Sequence, residues 1–169
     1  MIFEAKLPAK PGYIERVNPT TGEHFYHKVG LLKGYSHETI IINRSQSYEL
    51  PRDVKFATIK VTCIGAGGSI DSTGLNGGDG EVVTKSIRIN TPKSRTVDIT
   101  IGSAGVDGRS GEPTAFGDYL CANGGVSGIE YGNSGYDVDG VVYGMGETTD
   151  HKATAGLCII EYDMPIYGA

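Results

Sequence analysis

Between residues 102 and 111 a glycine recurs at every third position, as Gly102, Gly105, Gly108 and Gly111. A backbone with three residues per turn is the left-handed extended helix. Glycine at every third place leaves one edge of that helix without side chains. Bare edges can lie against each other and exchange main-chain hydrogen bonds, while the other two positions per turn point outward. A shorter version of the spacing occurs at Gly74, Gly77 and Gly80, and the pairs Gly125/Gly128 and Gly132/Gly135 echo it. The competing reading is a set of slack surface loops in which glycine is only the turn residue. The strict period favours the packed, polyglycine-II-like arrangement. The 26 glycines in 169 residues are too few and too irregular for collagen, which needs one residue in three.

Short β-prone runs separate the glycine segments. Residues 56–64 form the strongest, with Ile59, Val61 and Cys63 on one face and Thr58, Lys60 and Thr62 on the other. Residues 81–89 turn Val83, Ile87 and Ile89 inward, and 97–101 alternate Val97, Ile99 and Ile101 with polar residues. Residues 39–43, 46–50 and 157–162 read as further strands, and 114–122 as one strand with Gly117 as a bulge. No segment carries a sustained apolar stripe at helical spacing. The expected fold is all-β: a small antiparallel β-sandwich-like domain with glycine-rich loops.

The first 45 residues differ in character. An extended arm over 1–11 is followed by a hairpin signal, in which 13–17 alternates, 18–22 carries the turn residues Asn18, Pro19 and Gly22, and 24–29 is rich in aromatics. A two-stranded hairpin is marginal alone, so it needs its own domain or a partner chain to pack on. Phe3, Tyr13, Arg16, Phe25 and Tyr26, with lysines nearby, are the candidate docking residues. The expected division is 1–45 as an attachment module and 46–169 as the glycine-rich domain.

Charge divides along the same line. Residues 1–64 hold nine Lys and Arg against six Asp and Glu, whereas 65–169 hold six against fourteen. An acidic glycine-rich part would repel phosphate, so nucleic acid is not an expected partner. No apolar run approaches the ~18 residues of a membrane span, and no signal-peptide pattern opens the chain. Cys63, Cys121 and Cys158 sit among apolar neighbours without a paired spacing and read as three reduced, buried thiols.

In order, the chain reads YELP, VTCIGAGGS, GGDGEVVTKSI, VDITIGSAG, GEPTAFGDYLCANGG and ATAGLCIIEY. This succession over about 46–163 resembles the glycine-rich domain of tailed-bacteriophage tail fibre and tip adhesin proteins. Tyr48 stands where that family usually has Trp. The resemblance implies a structural virion protein of the tail fibre, tail tip or another appendage, assembled in the host cytoplasm and contributing to host-surface attachment. It also implies a homo-oligomer, a trimer by analogy, with other virion proteins as partners and a host surface glycan or outer-membrane protein as target. A purely architectural collar, neck, fibre-joining or decoration protein is the alternative.

Within that expectation, the loop 126–150 is the candidate receptor surface. Tyr131, Tyr136 and Tyr143 offer large flat rings with a hydroxyl, and Asp137 and Asp139 offer carboxylates, a combination suited to sugar. Packing of these tyrosines over glycine backbone is the competing reading. Asp71 and Asn76 are weaker candidates. The fragment Asp137-Val138-Asp139-Gly140 lacks the remaining ligands of a calcium loop. His24, His27 and His37 have no spacing that compels a metal site. The cluster 65–68 after a strand has no helix following it, so it is not a dinucleotide loop. No metal, cofactor or membrane insertion is expected, and no enzymatic activity.

Overall fold

A computed structural model describes residues 13–28, 30–89, 94–129 and 134–168. The strands are β1 (Tyr13–Val17), β2 (His24–Lys28), β3 (Leu31–Ile42), β4 (Gln46–Glu49), β5 (Thr58–Ile64) and β6 (Val82–Arg88), then β7 (Thr96–Thr100), β8 (Thr114–Phe116), β9 (Leu120–Ala122), β10 (Tyr136–Val138), β11 (Val141–Tyr143) and β12 (Leu157–Gly168). The described residues contain no α-helix, only a tight 3-10 turn at Lys55–Ala57. The protein is all-β.

Two four-stranded sheets face each other, ordered β3-β12-β5-β6 and β4-β7-β8-β9, with every pairing antiparallel. Alternation places the core. Ile59, Val61 and Cys63 of β5 meet Ile42, Cys158 and Ile160 from their own sheet and Val97, Ile99 and Phe116 from the other. Phe116 is fully buried between Tyr48 and Tyr119, with ring centroids 6.4 and 6.0 Å away. Burying such side chains contributes roughly 1.5–3 kcal/mol each, so this sandwich carries most of the apolar stabilisation.

Several elements differ from the pattern read in the sequence. The run 114–122 is a hairpin rather than a bulged strand: Gly117 has φ +48°, and the Tyr119 amide closes the turn on the Phe116 carbonyl at 3.1 Å. β3 begins at Leu31 and pairs β12 along its length. Its first half mixes exposed Leu31, Leu32 and Tyr35 with Lys33, Gly34 and Ser36 and lacks an alternating signal, because its core residues, Ile40 and Ile42, lie in the second half. β12 continues to Gly168 through Pro165, in the stretch where only β3 lies beside it, a position a strand proline tolerates. Cys121 is exposed, unlike the other two thiols, because it points to the outer face of the second sheet.

β1 and β2 form the expected hairpin, Tyr13 opposite Lys28 and Val17 opposite His24. Its turn is built by Asn18, whose side-chain oxygen accepts the Thr20 and Thr21 amides. The hairpin joins β3 through Gly30, where a Cβ would overlap the Gly168 carbonyl. It therefore leaves the sandwich at the end where β12 finishes.

Candidate functional site

At the opposite end β5 runs into 65–69, and there the glycines meet. The donors of this segment rotate in threes. The Gly65 and Gly68 amides bond to Glu81 and Gly78, those of Ala66 and Ser69 bond to Glu112 and Arg109, and that of Gly67 bonds to Thr154. Its carbonyls accept from three further segments: Ala66 from Gly125, Gly67 from Gly105 and Gly68 from Glu147. These bonds span 2.7 to 3.1 Å. A donor direction that repeats every third residue is the signature of a threefold extended helix.

Six segments therefore surround 65–69. They also bond to one another in a closed ring: 77–81 to 123–126, then 109–112, 102–105, 153–156, 144–147 and back to 77–81. Register shows that the three segments taking the central amides return toward the sandwich, and the three donating to it run outward. Direction thus alternates around the ring. At the glycine positions facing a neighbouring rod, the spacing leaves no room for a Cβ. A Cβ on Gly65 would overlap the Asn123 carbonyl, and one on Gly77 would overlap that of Gly68.

The strict period 102–111 does not run through one rod. It folds in two at Asp107 and Gly108, both with positive φ (+51° and +76°), while the Arg109 amide closes on the Val106 carbonyl at 3.1 Å. This is a type I′ turn, and the two halves become neighbouring rods.

Acidic side chains satisfy the amides that the rods leave over. Asp79 accepts the amides of Ser134, Gly135 and Gly146 at 2.9–3.1 Å. Glu81 accepts both the amide and the side-chain nitrogen of Asn123, Glu112 accepts Ser103, and Glu147 accepts Ile70. The negative charge of this half of the chain is in this part structural. Sequence reasoning missed these residues. The one available signal was isolated acids inside glycine runs, as in GGDGE.

The rods end in a cluster of distal loops. In 70–76 the Asp71 carboxylate gathers the Thr73 hydroxyl and the Thr73 and Leu75 amides, which hold it below the ordinary carboxylate value, the hydroxyl most strongly. The 126–129 loop is tied across by Ser127 to Ser110 and by Ile129 to Asn76. In 147–152 the Glu147 carboxylate takes Lys152 at 2.7 Å and the Ile70 amide at 2.9 Å, which lowers its pKa, the lysine acting most strongly, and raises that of Lys152. Ile70, Val106, Asp107, Glu147 and Lys152 line a shallow hollow of about 350 Å³. Leu75, Val106 and Val126 are exposed around this end.

Tyr136 and Tyr143 stand opposite each other in the β10–β11 hairpin. Both pack on Ile64, Leu157 and Ile159, on the outer face of the first sheet. Asp137 and Asp139 lie exposed at its turn, where Asp137 accepts the Gly140 amide at 3.2 Å and Asp139 adopts φ +51°. The structure thus brings these four together near the base of the bundle, apart from the distal loops. Tyr131 lies outside the described residues, as does Phe3. Tyr13, Arg16, Phe25 and Tyr26 lie on β1 and β2 as expected. His37 is held by Asp163 at 2.8 Å and Glu161 at 3.4 Å in a row along the sheet surface. Among the described residues, no three such side chains converge in a metal-holding arrangement.

A β-sandwich prolonged by a seven-rod glycine bundle defines a scaffold that presents loops at one end. The chain belongs to the glycine-rich domain family, whose match covers residues 42–158. Comparison with curated proteins and with solved structures returned no match.

Proposed function

We propose that this chain is a structural virion protein of a tailed bacteriophage, a distal module of a tail fibre, tail tip or similar appendage. In this reading it touches the host surface through the far end of its glycine bundle. One observation carries it. The rods are tied by main-chain bonds, and this leaves four loops around 70–76, 106–108, 127–129 and 148–152 on a rigid base. Residues on loops held by a rigid scaffold are the usual carriers of recognition. The exposed Asp137–Asp139 turn flanks the same assembly. The target is a host surface glycan or outer-membrane protein.

The opposite end supports attachment to other virion proteins. Leu31, Leu32, Tyr35 and Ile166 are exposed there, and Phe56 is 85% exposed on a left-handed backbone (φ +56°). The Lys55 ammonium lies 4.6 Å from the Tyr35 ring centre. This apolar end adjoins the N-terminal hairpin and also favours the second reading, a joining or decoration protein without receptor contact.

Phage particles carrying exchanged distal loops distinguish the two. Changed adsorption or host range with normal particle assembly is the expected result. Unchanged adsorption would remove the receptor role and leave the architectural one.

A further inference from the structure

We propose a saccharide-binding site on the outer face of the second sheet, separate from the distal loops and independent of the reading given to them. A hollow of about 750 Å³ opens there between the end of β6, strand β7 and the β8–β9 turn. Its size falls within the ~300–1,000 Å³ of small-molecule sites. Thr96, Asp98 and Thr100 project from β7 into solvent while Val97 and Ile99 face the core. With Ala115 of β8 they give a low floor carrying two hydroxyls and a carboxylate. Tyr119 stands at one side, half-buried, its ring held against Phe116. Arg88 stands at the end of β6.

Several polar groups of this hollow remain uncommitted. Asp98 uses one oxygen to accept the Ser47 hydroxyl at 2.7 Å, which fixes its carboxylate and leaves the second oxygen open. Neither Arg88 nor Asp118 has an ion-pair partner among the described residues. A guanidinium fork, two carboxylates and a row of hydroxyls match a ligand that both donates and accepts at many points. A fixed aromatic ring matches one that also has an apolar C–H face, because the ring face is electron-rich. A sugar ring has both properties. Two carboxylates against one guanidinium disfavour an anionic ligand, so the site suits a neutral saccharide.

The test is amide NMR on the full labelled chain titrated with maltohexaose, cellohexaose and mannohexaose, with a hyaluronan hexasaccharide as the acidic comparison. At least one neutral sugar should give saturable shifts confined to Arg88, 94–100 and 115–119. Tyr119→Ala should weaken binding about tenfold and Tyr119→Phe should retain it. Asp118→Asn, an exposed change that leaves the core untouched, should also weaken binding and guards against misfolding of the alanine variant. Absence of shifts with all three neutral sugars at millimolar concentration would overturn the proposal. So would shifts elsewhere on the chain, or tighter binding of hyaluronan. None of these outcomes bears on adsorption through the distal loops.

Discussion

Gly67 lies directly beneath the main-chain carbonyl of Met145, with no space for a Cβ between them. The contact joins the central rod to one of its six neighbours and shows how little the bundle tolerates. Gly67→Ala should force the two rods apart and cost about 3 kcal/mol or more. Gly74 has φ +85° but open space around it, so Gly74→Ala should cost only about 1 kcal/mol of backbone strain. Urea unfolding midpoints measure both. Equal, small losses would mean that the rods are not in contact.

Arg95 fastens the lower end of the sandwich. Its guanidinium donates to the carbonyls of Ile89, Leu50 and Pro51 at 2.9–3.1 Å. Arg95→Met should destabilise by about 3 kcal/mol, since three carbonyls lose a charged donor. Arg95→Lys should recover only part of this, because a single ammonium cannot span the three acceptors. Thermal unfolding of the pair reads the difference.

Cys63 and Cys158 face each other across β5 and β12, both fully buried. The hydrogen bond that Cys158 donates to Cys63, together with burial, holds the Cys158 thiol well above its ordinary value. Cys121 is exposed. A thiol reagent at pH 8 should therefore modify one cysteine in the folded protein and three after denaturation. Rapid labelling of all three in the folded state would contradict the packing of these strands.

His37 should titrate above its ordinary value of 6.5, because Asp163 first, and Glu161 next, stabilise its charged form. A raised folded pKa means that the stabilisation is complete below the unfolded value and is lost as pH rises through the folded one. Asp163→Asn should bring the titration back toward 6.5. Imidazole NMR shifts follow it directly, and an unchanged midpoint in the variant would exclude the pairing.

The alternation of Ile59, Val61 and Cys63, and of Val97 and Ile99, was enough to read the sandwich from the chain. So was the three-residue glycine period for the bundle's conformation. What period alone does not contain is where a rod ends. Asp107 and Gly108 continue the spacing while reversing the chain, since a left-handed turn and a threefold rod both favour glycine. The first half of β3 was hidden because Leu31, Leu32 and Tyr35 are exposed and mixed with Lys33, Gly34 and Ser36 without alternation, and its partner, 163–168, is interrupted by Pro165. Tyr136 and Tyr143 show the limit for the site. Their composition suits recognition, but the apolar patch of Ile64, Leu157 and Ile159 on the outer face of the sheet needs a cover, and these rings help to bury it. The roles of Asp79 and Glu147 depend on amides remote in sequence, and no local pattern announces them.

The rotation of donors in steps of three has a consequence for growth of the molecule. Adding one turn to each outward rod and one to each returning rod restores every bond in the same cross-section. Height can then change by insertion of triplets without new core residues, whereas a gain of one or two residues in a single rod misdirects every amide beyond it. Relatives of different reach should differ in these lengths by multiples of three.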